Sequence, residues 1–272
     1  MRASWTSCFH PVARSADLVN GHVFHGRLLG QELALWRDAE GRPNAWENRC
    51  PHRGVRLTLG LHLGSELRCL YHGLRYASGS GRCTAIPSLG DRELPRQLNV
   101  CVKTFLVRER YGLVWASLHE SASEPAIAAL DGARHATLRS IVIGAPAECV
   151  EDALAHYRFV PSRASGAAIN DGACTVRNLQ ELTLACTSIL GGAEEMAILI
   201  VQPADVRKAI VHGVAIGVSD EGGAGEATNA SRRRSLLRHH NERLCALRDA
   251  LESTNIAPAA SGQARELLEA SA

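Results

Sequence analysis

The sequence predicts an α+β fold in which a strand-rich first part is followed by a mixed second part. From Val23 to Trp36 and from Val102 to Leu118, apolar residues occur in short runs or alternate with polar ones, between glycines and polar turns. This pattern is typical of short antiparallel strands. From Glu148 onward, helical spacing of apolar residues is combined with further strand-like runs. The α+β class follows from this change of pattern along the chain.

The second part contains both predicted helices and predicted strands. Helical spacing covers Glu148–Phe159, Ser231–Glu252 and a short final stretch, Ala264–Glu269. Strand patterns cover residues 176–190 and 197–218, with turns expected at Gly191-Gly192 and at Gln202–Asp205. The region between Leu190 and Val201 is expected to lack strands that could form the wall of a cavity. The segment from His119 to Ala126 is rich in connector residues, so the predicted domains are 1–118 and 119–272.

The composition argues for a globular chain with a small-molecule or protein partner. Of the 272 residues, 46% are hydrophobic, and 30 Lys and Arg against 28 Asp and Glu leave a net charge of +2. A nearly neutral chain has no large field of one sign, so neither nucleic acid nor a membrane surface is an expected partner. No apolar run approaches the roughly 18 residues of a spanning helix. Without a signal-peptide pattern at the start, a cytoplasmic location is predicted.

The cysteines do not resemble a disulfide framework. There are nine, an odd number, in a chain without an export signal. Five lie in apolar or amphipathic surroundings and are predicted to be buried thiols: Cys101, Cys149, Cys174, Cys186 and Cys245. Cys50 and Cys69 differ, because each begins a short segment that also contains histidine and glycine.

These two segments supply a set of metal ligands. They are Cys50-Pro51-His52-Arg53-Gly54 and Cys69-Leu70-Tyr71-His72-Gly73. Two thiolates and two imidazoles fit tetrahedral zinc or a binuclear iron-sulfur cluster with two histidines on one iron. Zinc turns usually pair their ligands as CxxC or HxxxH, so this spacing favours the cluster. The glycine that ends each segment lets the backbone fold closely around an inorganic core. Zinc stays the alternative.

The two segments resemble the two loops of a Rieske 2Fe-2S domain. That resemblance implies that Cys50, His52, Cys69 and His72 ligate a cluster that moves single electrons. Respiratory-chain Rieske proteins have an additional cysteine in each loop, and this chain has other residues there, so the resemblance is to the oxygenase class. Ile86-Pro87 also resembles the proline-bearing loop that covers the cluster in that fold.

The resemblance extends to Rieske non-heme iron oxygenases of the vanillate O-demethylase type, in the aromatic ring-hydroxylating dioxygenase alpha-subunit superfamily. It rests on Trp5 to Gly60 and on Arg108 to Trp115. It implies an all-β Rieske domain followed by a reduced, helix-grip-like α+β catalytic domain with a mononuclear Fe(II). It also implies that the chain uses O2 to hydroxylate or oxidatively demethylate a small aromatic substrate. Electrons would come from NAD(P)H through a separate reductase or ferredoxin, and the family implies a homotrimer.

The iron ligands implied by the family are two histidines and one carboxylate. His156 matches the first histidine, but the position of the second is Pro161, which offers no donor. The third ligand is assigned to Glu242, beside His239 and His240, which are predicted to lie on a solvated helix face.

Asp152 is assigned the catalytic role of the family's aspartate. It lies four residues before His156, so both share one helix face, where the carboxylate could accept a hydrogen bond from the imidazole. In the family the equivalent acid also relays electrons between subunits. Pro161 and a second part of reduced length leave an alternative open, an electron-transfer or accessory subunit with a degenerate mononuclear iron site.

Overall fold

The chain consists of two compact units, Met1–Pro125 and Ala126–Ala272, in a computed structural model that describes residues 2–90, 100–157, 174–190, 193–216 and 226–253. The predicted domains, 1–118 and 119–272, stay a prediction. Sheet dominates both units, and two α-helices lie in the described part of the second, which confirms the predicted α+β class. No described helix combines the length and the apolar character that crossing a membrane requires.

The first unit is built from short antiparallel strands. Its described strands are β1 (His10–Arg14), β2 (Val23–Leu28), β3 (Gln31–Arg37), β4 (Pro43–Glu47), β5 (Leu61–His62), β6 (Glu66–Arg68), β7 (Arg75–Ala77), β8 (Cys83–Ala85), β9 (Leu106–Arg110) and β10 (Leu113–Ser117). They form three sheets, in the orders β1-β10-β9, β2-β3-β4 and β5-β6-β7-β8. Short 3-10 helices lie at Ala3–Ser7, Ser15–Asp17, Leu57–Leu59 and Pro87–Leu89.

Strand β3 separates two buried cores. Ala34 and Trp36 belong to one core, and Leu33 and Leu35 belong to the other. Successive side chains of a strand point to opposite faces, so a central strand that is buried on both faces contains a continuous apolar run. The core on the Trp36 side also contains Trp46, whose ring centroid lies 5.0 Å from that of Trp36 in an edge-to-face contact. Cys50 and Cys69 are part of this same core.

The described part of the second unit contains one antiparallel sheet and two α-helices. Its described strands are β11 (His135–Thr137), β12 (Ile141–Ile143), β13 (Cys174–Gln180), β14 (Thr183–Leu190), β15 (Ala193–Asp205) and β16 (Lys208–Ile216). Their order is β11-β16-β15-β14-β13, and β12 also pairs with β16. The helices are α1 (Ala147–Leu154) and α2 (Glu226–Ser253), with a 3-10 helix at Ala128–Leu130.

The structure corrects the prediction for β15. The turn expected at Gln202–Asp205 falls within this strand, and so do residues 193–201, where no strand was expected. The turn expected at Gly191-Gly192 lies outside the described residues. Proline cannot donate a ladder hydrogen bond, but Pro203 lies at a register shift near the end of β15, where the pairing with β16 is irregular. The reversal of the chain follows at Val206 and Arg207.

The predicted helices also differ from the observed ones in extent. Helix α1 ends at Leu154, before the predicted end at Phe159, and residues 158–159 lie outside the described residues. The helix predicted over Ser231–Glu252 falls within α2. The short helix predicted over Ala264–Glu269 lies outside the described residues.

Candidate metal centre

Two loops of the same backbone shape present the predicted cluster ligands. The first loop (Cys50–Gly54) follows β4, and the second loop (Cys69–Gly73) joins β6 to β7. In the first loop, the N–H of Cys50 donates to the Val55 carbonyl and the N–H of Gly54 donates to the Cys50 carbonyl, both at 2.8 Å. In the second loop, Cys69 donates to Leu74 at 2.8 Å and Gly73 donates to Cys69 at 3.1 Å. The ligand segments are therefore two copies of one closed turn.

Each turn requires its final glycine. Gly54 and Gly73 both have a φ of +72°, in the left-handed region that residues with a Cβ rarely adopt. At Gly73 there is a second reason, because an added Cβ would lie 2.8 Å from Cγ of Pro87. Pro87 thus packs directly on the second loop, at the position where the sequence analysis expects a covering proline.

The four predicted donors separate into a buried pair and an exposed pair. The thiols of Cys50 and Cys69 are buried, with 3% and 2% of each residue exposed. Burial raises the pKa of the Cys69 thiol, the N–H groups of Tyr71 and His72 oppose this by bonding to its sulfur, and the adjacent Cys50 raises it further. The imidazoles of His52 and His72 are exposed, and their ring centroids lie 4.8 Å apart.

The exposed imidazoles lie in a positively charged environment. Loss of solvation lowers the pKa of His72, and the charges of His52 and Arg53 act in the same direction. The ring of Tyr71 lies against His72, with 3.8 Å between the centroids. The loss of solvation and the neighbouring positive charges favour the neutral imidazole of His72, which is the form that binds metal.

The buried side chain of Tyr76 contacts the thiol of Cys50, and the sequence analysis does not predict this contact. Its hydroxyl lies 3.1 Å from Cys50 Sγ. Burial raises the pKa of this phenol above its ordinary value, and the contact with Cys50 adds to the rise. The phenol therefore keeps its proton and can donate to a thiolate. One sequence feature could have indicated Tyr76. It lies two residues after Leu74, on the buried face of a strand that begins next to the second loop.

The arrangement of donors fits a binuclear cluster better than a single ion. Tetrahedral zinc would need the four donors to converge on one point. Among the described residues, no group of three or more His, Cys, Asp or Glu side chains is arranged to hold a single ion. A two-histidine 2Fe-2S cluster instead takes two thiolates on one iron and two imidazoles on the other. The buried sulfur pair and the exposed nitrogen pair match that division.

In the second unit, the predicted iron ligands His156 and Glu242 and the predicted catalytic Asp152 are all exposed. Among the described residues, no group of three or more His, Cys, Asp or Glu side chains is arranged to hold an ion, and the assignment of these three residues stays a prediction. The hydrogen bond expected between His156 and the Asp152 carboxylate is replaced, because His156 Nδ1 bonds the backbone carbonyl of Asp152 at 3.1 Å. Glu151, one residue earlier, accepts the N–H of Leu182 at 2.7 Å. Pro161 lies outside the described residues.

His239 and His240 are buried, which corrects the prediction of a solvated helix face. Only 8% and 1% of these residues are exposed. His240 Nδ1 lies 3.0 Å from the hydroxyl of Tyr157. Burial lowers the pKa of His239 to about 4 and that of His240 to about 3. Both side chains are therefore neutral at pH 7, in the interior of the second unit.

A known protein domain matches the part of the chain that contains the two loops. Residues 8–105 match the family model of the Rieske [2Fe-2S] domain. The chain is 49% identical over 149 residues to the oxidoreductase NdmD of Pseudomonas putida, covering 53% of this chain and 25% of NdmD. It is 34% identical over 104 residues to the vanillate O-demethylase oxygenase subunit of a Pseudomonas species, covering 38% of this chain and 28% of that subunit. The chain therefore spans only about a quarter of the length of these relatives.

Solved structures share the fold over most of the chain. NdmA of Pseudomonas putida CBB5 superposes with a TM-score of 0.67 at 19% identity, over 97% of this chain and 89% of NdmA. Dicamba monooxygenase superposes with a TM-score of 0.64 at 19% identity, over 95% of this chain and 93% of that enzyme. At such identities the likeness concerns the fold alone. Residues 8–105 form a Rieske [2Fe-2S] domain, and the chain is similar to the oxidoreductase NdmD and to a vanillate O-demethylase oxygenase subunit.

Proposed function

We propose that this chain transfers single electrons in a Rieske oxygenase system, through a 2Fe-2S cluster ligated by Cys50, His52, Cys69 and His72. The observation that supports this most strongly is the division of the donors, with two buried thiols on one side and two exposed imidazoles on the other. When bound, such a cluster accepts and releases one electron at a potential between about −150 and +300 mV. The exposed imidazoles give that electron a short path to a partner.

The second unit favours electron delivery to a centre on another chain. Its sequence contains five histidines, all within the described residues: His135, His156, His212, His239 and His240. An Fe(II) site of the family type needs two of them beside a carboxylate. Both ring nitrogens of His212 are engaged, by Gln202 at 2.8 Å and Ser140 at 2.9 Å. One ring nitrogen bonds a backbone carbonyl in His135 and in His156, and one bonds the Tyr157 hydroxyl in the buried His240. We therefore propose an electron-carrying component whose mononuclear iron site has been lost.

The second candidate is an oxygenase component with its own Fe(II). A relative that is an oxygenase subunit favours it, as does the fold that the chain shares with dicamba monooxygenase. In this form His156, Glu242 and Asp152 would serve the iron, and a small aromatic substrate would be hydroxylated or demethylated with O2. Either form requires a reductase or ferredoxin partner, and the oxygenase form also carries the proposal of a homotrimer.

Metal analysis separates the candidates. Protein purified without oxygen should contain about two iron and two sulfide per chain in the carrier form, and about three iron in the oxygenase form. Exchanging His156 for Ala should leave the iron content of a carrier unchanged and should lower that of an oxygenase by one. Three iron per chain, with substrate-dependent O2 uptake in the presence of a reductase, would replace the carrier proposal.

The ligand assignment has its own matched pair of variants. Cys69→Ser should abolish the visible absorption and the paramagnetic signal of the reduced cluster, because a thiolate ligand is lost. Cys83→Ser changes a thiol that packs against the same core outside the two loops and should keep both signals. A colourless protein that binds one zinc per chain after reconstitution would contradict the cluster.

A further inference from the structure

A cleft lies in the first unit where the edges of two sheets diverge. Strand β4 is an edge of the sheet β2-β3-β4, and β9 is an edge of the sheet β1-β10-β9. A β-bridge between Trp46 and Thr104 joins β4 to the segment that leads into β9. Both strands then line a cleft of about 470 Å³ that contains no residue of the two ligand loops. Cavities of roughly 300–1,000 Å³ are typical of sites for small molecules.

Two backbone N–H groups are directed towards this cleft. The N–H of Phe105 donates to the carbonyl of Ala45 at 2.8 Å. In an antiparallel strand, the N–H and C=O of one residue point to the same side, and the residue two positions along points there too. The N–H of Ala45 therefore points away from β3, and that of Val107 points away from β10, on the side where both residues line the cleft. Neither N–H belongs to the ladder with its neighbouring strand, so both can donate to a bound molecule.

The charged side chains of the cleft favour an anion at one end. Lys103 is exposed, its Nζ lies 5.2 Å from the centroid of the Phe105 ring, and it forms no ion pair with the described residues. The guanidinium of Arg108, which also lines the cleft, is already paired with Glu124 at 2.6 Å. Glu120 lines the cleft as well, and its carboxylate repels an anion from its own end. The available cation is therefore Lys103.

Apolar residues supply the remaining surface that the argument needs. Leu106, Val107 and Leu118 are half-buried and line the cleft. Val107 and Leu118 also pack against the core that contains Leu33 and Leu35, which holds them in place. Ligand sites typically combine apolar walls with a few polar groups that fix the orientation of the ligand. Three donors beside apolar walls match a molecule with one acceptor group and an apolar body.

We infer that this cleft binds a small amphipathic carboxylate. Its oxygens accept hydrogen bonds from Lys103 and from the N–H groups of Ala45 and Val107, and its apolar body lies against Leu106 and Leu118. An ionised carboxylate only accepts hydrogen bonds, and bonds between charged partners are stronger than those between neutral ones. The inference does not depend on the proposed function, because none of these residues belongs to the ligand loops.

The test uses benzoate as the probe and benzamide, which has nearly the same shape without the charge, as its control. Isothermal titration calorimetry of the full chain should show that benzoate binds at least about tenfold more tightly than benzamide. Lys103→Gln should weaken benzoate binding about tenfold, whereas Lys103→Arg, which keeps the charge, should retain most of it. Lys208→Gln changes the only other lysine of the chain, an exposed residue of the second unit, and should leave benzoate binding unchanged.

Two further variants test the other groups of the cleft. Val107→Pro removes one N–H at the edge of a sheet, where proline is tolerated, and should weaken benzoate binding several-fold. Glu120→Gln removes a nearby negative charge and should strengthen it. The tryptophan emission and urea midpoint of each variant verify its fold. Equal affinities for benzoate and benzamide, unchanged benzoate binding in Lys103→Gln, or no binding at about 10 mM benzoate would each overturn the inference.

Discussion

The hydroxyl of the buried Tyr76 lies 3.1 Å from Sγ of Cys50, one of the predicted ligand sulfurs. A hydrogen bond to a thiolate stabilises the cluster more when it has gained an electron, because the sulfur then bears more negative charge. We predict that Tyr76→Phe lowers the midpoint potential by about 40 mV, which is the one-electron equivalent of about 1 kcal/mol. Potentiometric titration followed by the paramagnetic signal measures this shift.

Tyr71→Phe is the control for that measurement. It also removes a phenol near the ligands, but Tyr71 is exposed and contacts His72 through its ring. Its potential should stay within about 10 mV of the unaltered chain, well below the effect of one hydrogen bond. Equal shifts in the two variants would show that the Cys50 contact is not what sets the potential.

The sequence alone predicts the role or the environment of some residues but not of others. The sequence predicts Cys50, His52, Cys69 and His72 as ligands because donor type and spacing are local properties of the chain. Tyr76 was missed because its partner is 26 positions away in the sequence. The burial of His239 and His240 was missed for the same reason, since His240 contacts Tyr157, which lies three residues beyond the end of α1. Contacts between distant segments leave no periodic signal.

Glu32 on strand β3 forms ion pairs with the two arginines that flank the first loop. Its carboxylate binds Arg56 at 2.7 Å and Arg49 at 3.1 Å, on either side of the loop. The hydrogen bond from Arg56, supported by the charges of both arginines, lowers the pKa of Glu32 from 4.5 to about 2 despite the opposing effect of burial. Because the folded-state value is the lower one, the folded chain binds fewer protons. This stabilisation is complete above about pH 4.5 and is lost as pH falls towards 2.

We predict that Glu32→Gln lowers the free energy of unfolding by about 1 kcal/mol at pH 7, since the arginine partners are half exposed. The difference from the unaltered chain should shrink as pH falls below 4.5. Urea unfolding followed by tryptophan fluorescence reads the first unit, which contains all four tryptophans of the chain. Glu66→Gln changes an acid without a described ion pair and should show no such pH-dependent difference. A deficit of constant size from pH 7 to pH 3 would contradict the role of this carboxylate.

The two loops allow a matched test of their glycines. Gly54→Ala and Gly73→Ala both place a Cβ at a φ of +72°, at a cost of about 1 kcal/mol. Only at Gly73 does that Cβ also meet Pro87, whereas the space at Gly54 is open within 4 Å. We therefore predict a loss of stability of about 1 kcal/mol for Gly54→Ala and about twice that for Gly73→Ala, with partial loss of the cluster. Equal losses of unfolding free energy in urea would show that Pro87 moves away from the added Cβ without destabilising the fold.

Strands and helices were predictable where one face alone is buried or where apolar runs are short. Strand β3 has an apolar run from Leu33 to Trp36, and that run signals a strand buried on both faces. Strand β15 was interrupted in the prediction because Pro203 usually ends a strand. Only the pairing with β16 shows the register shift that accommodates this proline. A local sequence pattern contains no information about the partner strand.

The division of the chain into two units leads to the last prediction. Both cores that surround β3, and both ligand loops, consist of residues before position 119. A unit with its own core should fold alone. A chain that ends at Pro125 should therefore retain the visible absorption, the tryptophan emission maximum and a urea midpoint close to that of the full chain. The prediction is wrong if this shorter chain is colourless or aggregates while the full chain is coloured. The first unit would then depend on residues beyond Pro125, and the two loops and two cores would not be enough to stabilise the cluster.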